Sequence, residues 1–85
     1  MDISKAEQRI MHVLAQGGCI EVRRDENGKI QKLNCVTRDG WHFNALNLKL
    51  FRKLKQRKMI SSKNSAPYRI TKLGLIRVRS QVDNR

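Results

Sequence analysis

Acidic side chains are scarce in this 85-residue chain: seven Asp and Glu stand against nineteen Lys and Arg, leaving a formal net charge of +12. That shortage leaves few carboxylates for general acid–base chemistry, and no two fall at a useful spacing. Nucleophile–base motifs are missing as well, and the Gly17-Gly18 pair opens no phosphate-binding loop. Metal-ligand spacings are absent: neither C-x2–4-C nor H-x3–5-H occurs among Cys19, Cys35, His12 and His42. The chain therefore reads as a protein that binds rather than catalyses, with no metal or cofactor. No apolar run approaches the roughly 20 residues that span a bilayer, and the opening MDISKAEQ lacks the apolar core of a secretory signal. These absences predict a cytoplasmic protein that makes no membrane contact and keeps both cysteines as reduced thiols. No linker, repeat or low-complexity stretch divides the chain, so residues 1–85 form a single domain. A chain of this size buries roughly 60–70% of its unfolded surface, enough for one compact core.

What the chain does have is cationic charge, and that favours an anionic partner: nucleic acid first, then an acidic protein surface or membrane headgroups. Six of the ten residues from Lys49 to Lys58 are Lys or Arg, yet a helical period survives beneath them. Leu50, Phe51 and Leu54 form the stripe a surface helix buries, and Lys49, Arg52, Lys53 and Gln56 fall on the other side. Asn47 is placed to cap the first turn, and Arg57 and Lys58 to complement the dipole in the last. Met59-Ile60, a polar loop from Ser61 to Pro67, and a short strand Tyr68-Arg69-Ile70 follow. Helix 48–58 and wing 61–69 read as the recognition helix and wing of a winged-helix-like domain.

The flanking elements complete that pattern. Ser4 and Glu7 match a capping box, Ala6, Ile10, Val13 and Leu14 give an apolar stripe, and Gly17-Gly18 ends the helix. Cys19 to Thr37 reads as a hairpin turning on Asn27-Gly28, a pair suited to a two-residue turn. Counting outward places Glu26 opposite Lys29, Val22 opposite Leu33 and Ile20 opposite Cys35, with one face apolar. Cys35 becomes a small core residue, and Cys19 lies on the other face, which argues against a disulfide. Arg38-Asp39-Gly40 is a second turn; Trp41 to Asn44 is a third strand with Trp41 and Phe43 in the core. Thr71 caps a last helix whose Leu73, Leu75, Ile76, Val78 and Val82 supply a broad apolar side, and Gly74 weakens it. The predicted order is α–β–β–β–α–β–β–α, an α+β class. No helical period lies between Gly17 and Ala45, so the positioning helix of an ordinary winged helix-turn-helix is not expected.

Several stretches together resemble the YjhX toxin family of small bacterial proteins, essentially from end to end. They are the opening SKAEQ and HVLA at 4–8 and 12–15; Val22-Arg23 ahead of Gly28; Cys35, Arg38 and Gly40; Leu48, Phe51, Lys53, Leu54, Lys55, Lys58 and Ile60; Pro67 to Ile70; and Val78-Arg79 to Asp83 through Arg85. The resemblance implies the toxin of a toxin–antitoxin pair that inhibits DNA topoisomerase I and has a cognate antitoxin; it brings no catalytic residue set. Two mechanisms fit the residues. In one, Lys49, Arg52, Lys53 and Lys55 grip an acidic surface of the enzyme, with apolar anchors adding affinity. In the alternative, a winged-helix regulator, the same cations contact DNA phosphates. Arg52 and Gln56 then read base edges, and Lys63, Asn64 and Arg69 add backbone or minor-groove contacts.

Overall fold

The structure is a computed structural model and describes residues 5–64 and 66–83. The Ser4 half of the capping box and the last residues, Asn84 and Arg85, lie outside them. Helix α1 (Lys5–Ala15) buries Ile10, Met11 and Leu14, spaced to share one face, and Glu7 falls on that same face. The helix stops where expected: Gly17 takes a φ of +104°, and the Gly18 N–H donates to the Val13 carbonyl at 3.1 Å.

Strands β1 (Cys19–Arg24), β2 (Ile30–Val36) and β3 (His42–Phe43) form an antiparallel sheet in that order. The register is the predicted one, with Ile20 opposite Cys35 and Val22 opposite Leu33. The turn is not. Asp25 heads a longer loop: its N–H donates to the Lys29 carbonyl at 2.8 Å, and its Oδ1 accepts from the N–H groups of Asn27 and Lys29, both at 2.9 Å. An aspartate capturing backbone donors two and four residues on outcompetes the tight Asn-Gly turn. The register shift this creates is absorbed as an irregularity between Arg23 and Arg24, where Arg24 faces Ile30.

Trp41 is a second correction, being 74% exposed rather than part of the core. Its backbone closes the β2–β3 turn, accepting from the Thr37 N–H at 2.8 Å and donating to Thr37 Oγ1 at 3.0 Å. It thus lies past the last paired residues, Val36 and His42, beyond the reach of the core. Phe43, opposite Cys35, does pack against the core.

Helix α2 (Leu48–Gln56) buries Phe51 and Leu54, and Asn47 caps it as predicted, its Oδ1 accepting from the Leu50 N–H at 2.8 Å. The helix ends two residues earlier than its charge pattern suggested. Arg57 is the C-cap and Lys58 adopts a left-handed φ of 61°; the Lys58 N–H donates to the Lys55 carbonyl and the Met59 N–H to that of Leu54. This is a Schellman closure with Leu54 and buried Met59 in the accompanying apolar positions. Strands β4 (Ile60–Ser61) and β5 (Arg69–Ile70) pair antiparallel. Just before β5, Tyr68 exchanges two 2.8 Å backbone hydrogen bonds with Ile20, fastening this hairpin to the edge of β1.

Thr71 caps helix α3 (Lys72–Asp83), accepting from the Gly74 N–H at 3.0 Å while its hydroxyl donates to the Lys58 carbonyl at 2.8 Å. The apolar side of α3 is narrower in the fold than in the sequence. Val78 is buried, but Leu73 is 41% and Ile76 54% exposed. Gly74 explains the seating: a Cβ there would lie 2.6 Å from the Met59 carbonyl oxygen and 2.8 Å from Met11 Cε. The helix is pulled in at Gly74, and the residues away from that line face outward. The element order is the predicted one, and the fold is α+β. Between Ala15 and Leu48 the chain forms only strands and turns, so no positioning helix stands directly before α2.

Candidate partner-binding surface

Two apolar side chains set how α2 presents its charge. Phe51 and Leu54 are fully buried, and Phe51 meets the Tyr68 ring edge-to-face with centroids 5.0 Å apart. With that stripe fixed inward, Lys49, Arg52, Lys55 and Gln56 are exposed. No acidic residue lies in α2, and among the described residues no ion pair engages Lys49, Arg52 or Lys55. Lys55 leans toward the β4–β5 hairpin, its Nζ 5.9 Å from the Tyr68 ring centroid. On the hairpin, Arg69 is exposed on β5 and pairs with Ser61, while Lys63 and Asn64 are exposed in the connecting loop. That loop is tied by the Ala66 N–H donating to the Lys63 carbonyl at 2.9 Å. All eight predicted site residues are exposed, and among the described residues seven of them make no ion pair.

Lys53 is the eighth and is placed differently. Its Nζ lies 2.8 Å from Oε1 of Glu7, and Arg57 donates to Oε2 of the same carboxylate at 2.9 Å. Glu7 is completely buried. Lys53 and Arg57 are one turn apart and flank the apolar stripe of α2, so their long stems fold back over α1 while their charges meet a single carboxylate. Sequence reasoning assigned Glu7 to a helix cap. The missed signal was its spacing: Glu7, Ile10, Met11 and Leu14 share one helical face, and a carboxylate on a buried face needs a cation.

The remaining chemistry-bearing groups do not assemble. Among the described residues no cluster of His, Cys, Asp and Glu is fit to hold a metal ion, and no helix is long and apolar enough to cross a membrane. Cys19 and Cys35 are free thiols. Burial, and secondarily Cys19, pushes the Cys35 thiol up to about 11, which keeps it protonated and unreactive at neutral pH.

Comparison with known proteins places this chain in a family. Residues 1–85 match the model of the YjhX toxin family, described as "Putative toxin of bacterial toxin-antitoxin pair". Curated relatives carry the name UPF0386 protein. One from Chelativorans sp. (strain BNC1) is 64% identical over 85 residues, covering all of both chains. One from Hyphomonas neptunium is 58% identical over 84 residues, covering 99% of each. One from Caulobacter vibrioides is 51% identical over 85 residues, all of this chain and 93% of the relative. No solved structure matches the chain. With the match running from the first residue to the last, the chain belongs to the YjhX toxin family.

Proposed function

We propose that this protein is a toxin that inhibits DNA topoisomerase I by binding rather than by catalysis, using the exposed face of α2. The target comes from the family resemblance. The observation that supports the surface is the single sign of α2: Lys49, Arg52 and Lys55 stand exposed with no acidic neighbour on the helix. Among the described residues the one carboxylate paired with α2 and its cap, Glu7, is underneath and already occupied by Lys53 and Arg57. Such a face seats on an acidic surface of the enzyme and blocks DNA entry or strand passage. Electrostatic complementarity of this kind speeds association and selects the partner. The β4–β5 hairpin acts as a wing beside the helix in a winged-helix-like arrangement, with Arg69 and Lys63 extending the cationic face. A cognate antitoxin completes the pair.

A second reading, direct DNA binding, draws on the hairpin: Lys63, Asn64 and Arg69 are exposed on a loop and strand adjoining α2, as phosphate contacts require. It places Arg52 and Gln56 at base edges. The absence of a positioning helix directly before α2 makes it the second choice.

The deciding experiment is a plasmid relaxation assay with topoisomerase I, run beside a mobility shift on the same DNA. Inhibition at near-stoichiometric protein, without a shift, supports the enzyme-directed reading. A shift at the inhibitory concentration, with log K falling by about 0.9 per phosphate contacted as log salt rises, supports the DNA reading instead. The variant to compare is Lys49→Glu/Arg52→Glu/Lys55→Glu. Lys53 is left alone, because a glutamate there faces the buried Glu7 and threatens the fold. Full inhibition by the folded triple variant removes α2 from the account.

A further inference from the structure

On α1 the face opposite Glu7 and Leu14 is also organised. Lys5, Arg9, His12 and Val13 recur at helical spacing, and together with Phe43 of β3 and Val78 of α3 they line a shallow groove of about 760 Å³. Its apolar floor is Val13, Phe43 and Val78, and its rim is cationic; among the described residues no acidic one lines it. A second depression shares Val13 and carries the track past Gln16 to Thr37 and Arg38, where Asp39 is the first carboxylate met. Exposed Trp41 lies on the same β2–β3 turn. The track thus runs the length of α1, on the side away from α2.

We propose that this groove is the seat of the antitoxin, and that what fills it is an acidic amphipathic segment, its apolar side on Val13, Phe43 and Val78 and its carboxylates on Lys5 and Arg9. The proposal rests on the toxin–antitoxin assignment and is independent of topoisomerase I as target. Charge complementarity selects the occupant. A second copy of this chain, itself carrying +12, sets cations against Lys5 and Arg9. Nucleic acid offers phosphates to the rim but leaves the apolar floor unfilled. An acidic protein segment satisfies both, with an apolar centre and a charged rim. Because Glu7 ties α2 to the opposite face of α1, the groove and the α2 surface can be altered separately.

The test measures affinity for the purified cognate antitoxin by isothermal titration, with wild type, Lys5→Glu/Arg9→Glu, and Lys49→Glu/Arg52→Glu. Both groove substitutions are exposed and near the N-terminus of α1, where acids suit the helix dipole, and thermal melts check the fold. The groove double variant is expected to lose at least about tenfold in affinity, as charge reversal across an interface does, while keeping its effect on relaxation. The α2 double variant is expected to lose less than about threefold, a change under about 0.65 kcal/mol. Wild-type antitoxin binding that is unaffected by the groove substitutions and abolished by those on α2 overturns the proposal alone. No complex with the wild type overturns the toxin–antitoxin assignment together with it. Hydrogen exchange on the wild-type complex gives a readout independent of any variant: protection is expected along α1, and protection confined to α2 refutes the groove.

Discussion

Replacing Glu7 with glutamine tests how strongly α2 is bound to α1. The side chain keeps its shape but loses its charge, and one of its two contacts becomes an amide donor facing a cation. Removing one partner of a fully buried ion pair costs about 3–5 kcal/mol. Here the carboxylate is fully buried, but the cations are not: the Lys53 side chain is 44% exposed and that of Arg57 24%. Lys53 can swing to water at little cost, and Arg57 can do so only in part. The expected loss is therefore about 2–3 kcal/mol, below the fully buried range. For a domain of this size that lowers Tm by about 10–20 °C. Urea denaturation followed by circular dichroism measures it, and Lys53→Met provides the internal comparison. Because Arg57 still neutralises Glu7 in that variant, its cost should stay near 1 kcal/mol, the range of exposed pairs. A Glu7→Gln loss as small as that of Lys53→Met refutes the reasoning, since it means that the carboxylate is solvated in solution and the pair does not hold the helices together.

Three further outcomes follow from the backbone and the thiols. Gly74→Ala, normally a gain for a helix, is expected to destabilise by about 1–3 kcal/mol, because the new methyl meets a backbone oxygen at 2.6 Å that cannot retreat; a thermal melt with unchanged or higher Tm contradicts this. Lys58→Gly is expected to stabilise by about 0.5–1 kcal/mol, since a lysine at φ 61° bears a steric cost that glycine escapes, and denaturant midpoints report it. Raising the Cys35 pKa from 9.0 to about 11 in the fold means that the unfolded chain releases this proton first. Its contribution to stability is complete below about pH 9 and is lost as pH rises toward 11. Cys35→Ala should flatten the pH dependence across that window in parallel melts, and an unchanged slope excludes the thiol as its source.

The parts of this fold that were legible beforehand are those where two local signals agree. The hairpin register was readable because side-chain alternation from Ile20 to Cys35 permits only one pairing with an apolar face, and it survived even though the turn was misassigned. Asp25 and Asn27-Gly28 both favour a turn, and only the carboxylate's reach to two backbone N–H groups decided between them. Asn47 and Thr71 were legible as caps because capping depends on neighbours three residues away. Trp41 was not legible, since its exposure depends on where the core ends, and no property of the side chain marks that point. Lys53 fails for a similar reason. A helical wheel gives the direction of its Cβ, whereas a four-carbon stem can turn back to a carboxylate 46 residues earlier in the chain. The candidate surface was accordingly found at the level of the helix, and the division of its cations between outward and inward roles needed the tertiary structure.

Tyr68 joins three parts of the molecule: its backbone bonds Ile20, its ring meets Phe51, and Lys55 lies over that ring. The consequence is entropic. A wing attached only through its own short strands would have to be immobilised by whatever it binds, at a cost deducted from affinity. Here the β5 end of the hairpin is already fastened in the free protein, so a partner has less backbone to restrict there, besides the side-chain rotamers of the exposed cations at about 0.5–1.5 kcal/mol each. Loosening that junction, as Tyr68→Ala would, moves the loss to the binding step and weakens every partner of this surface alike, whatever its chemistry.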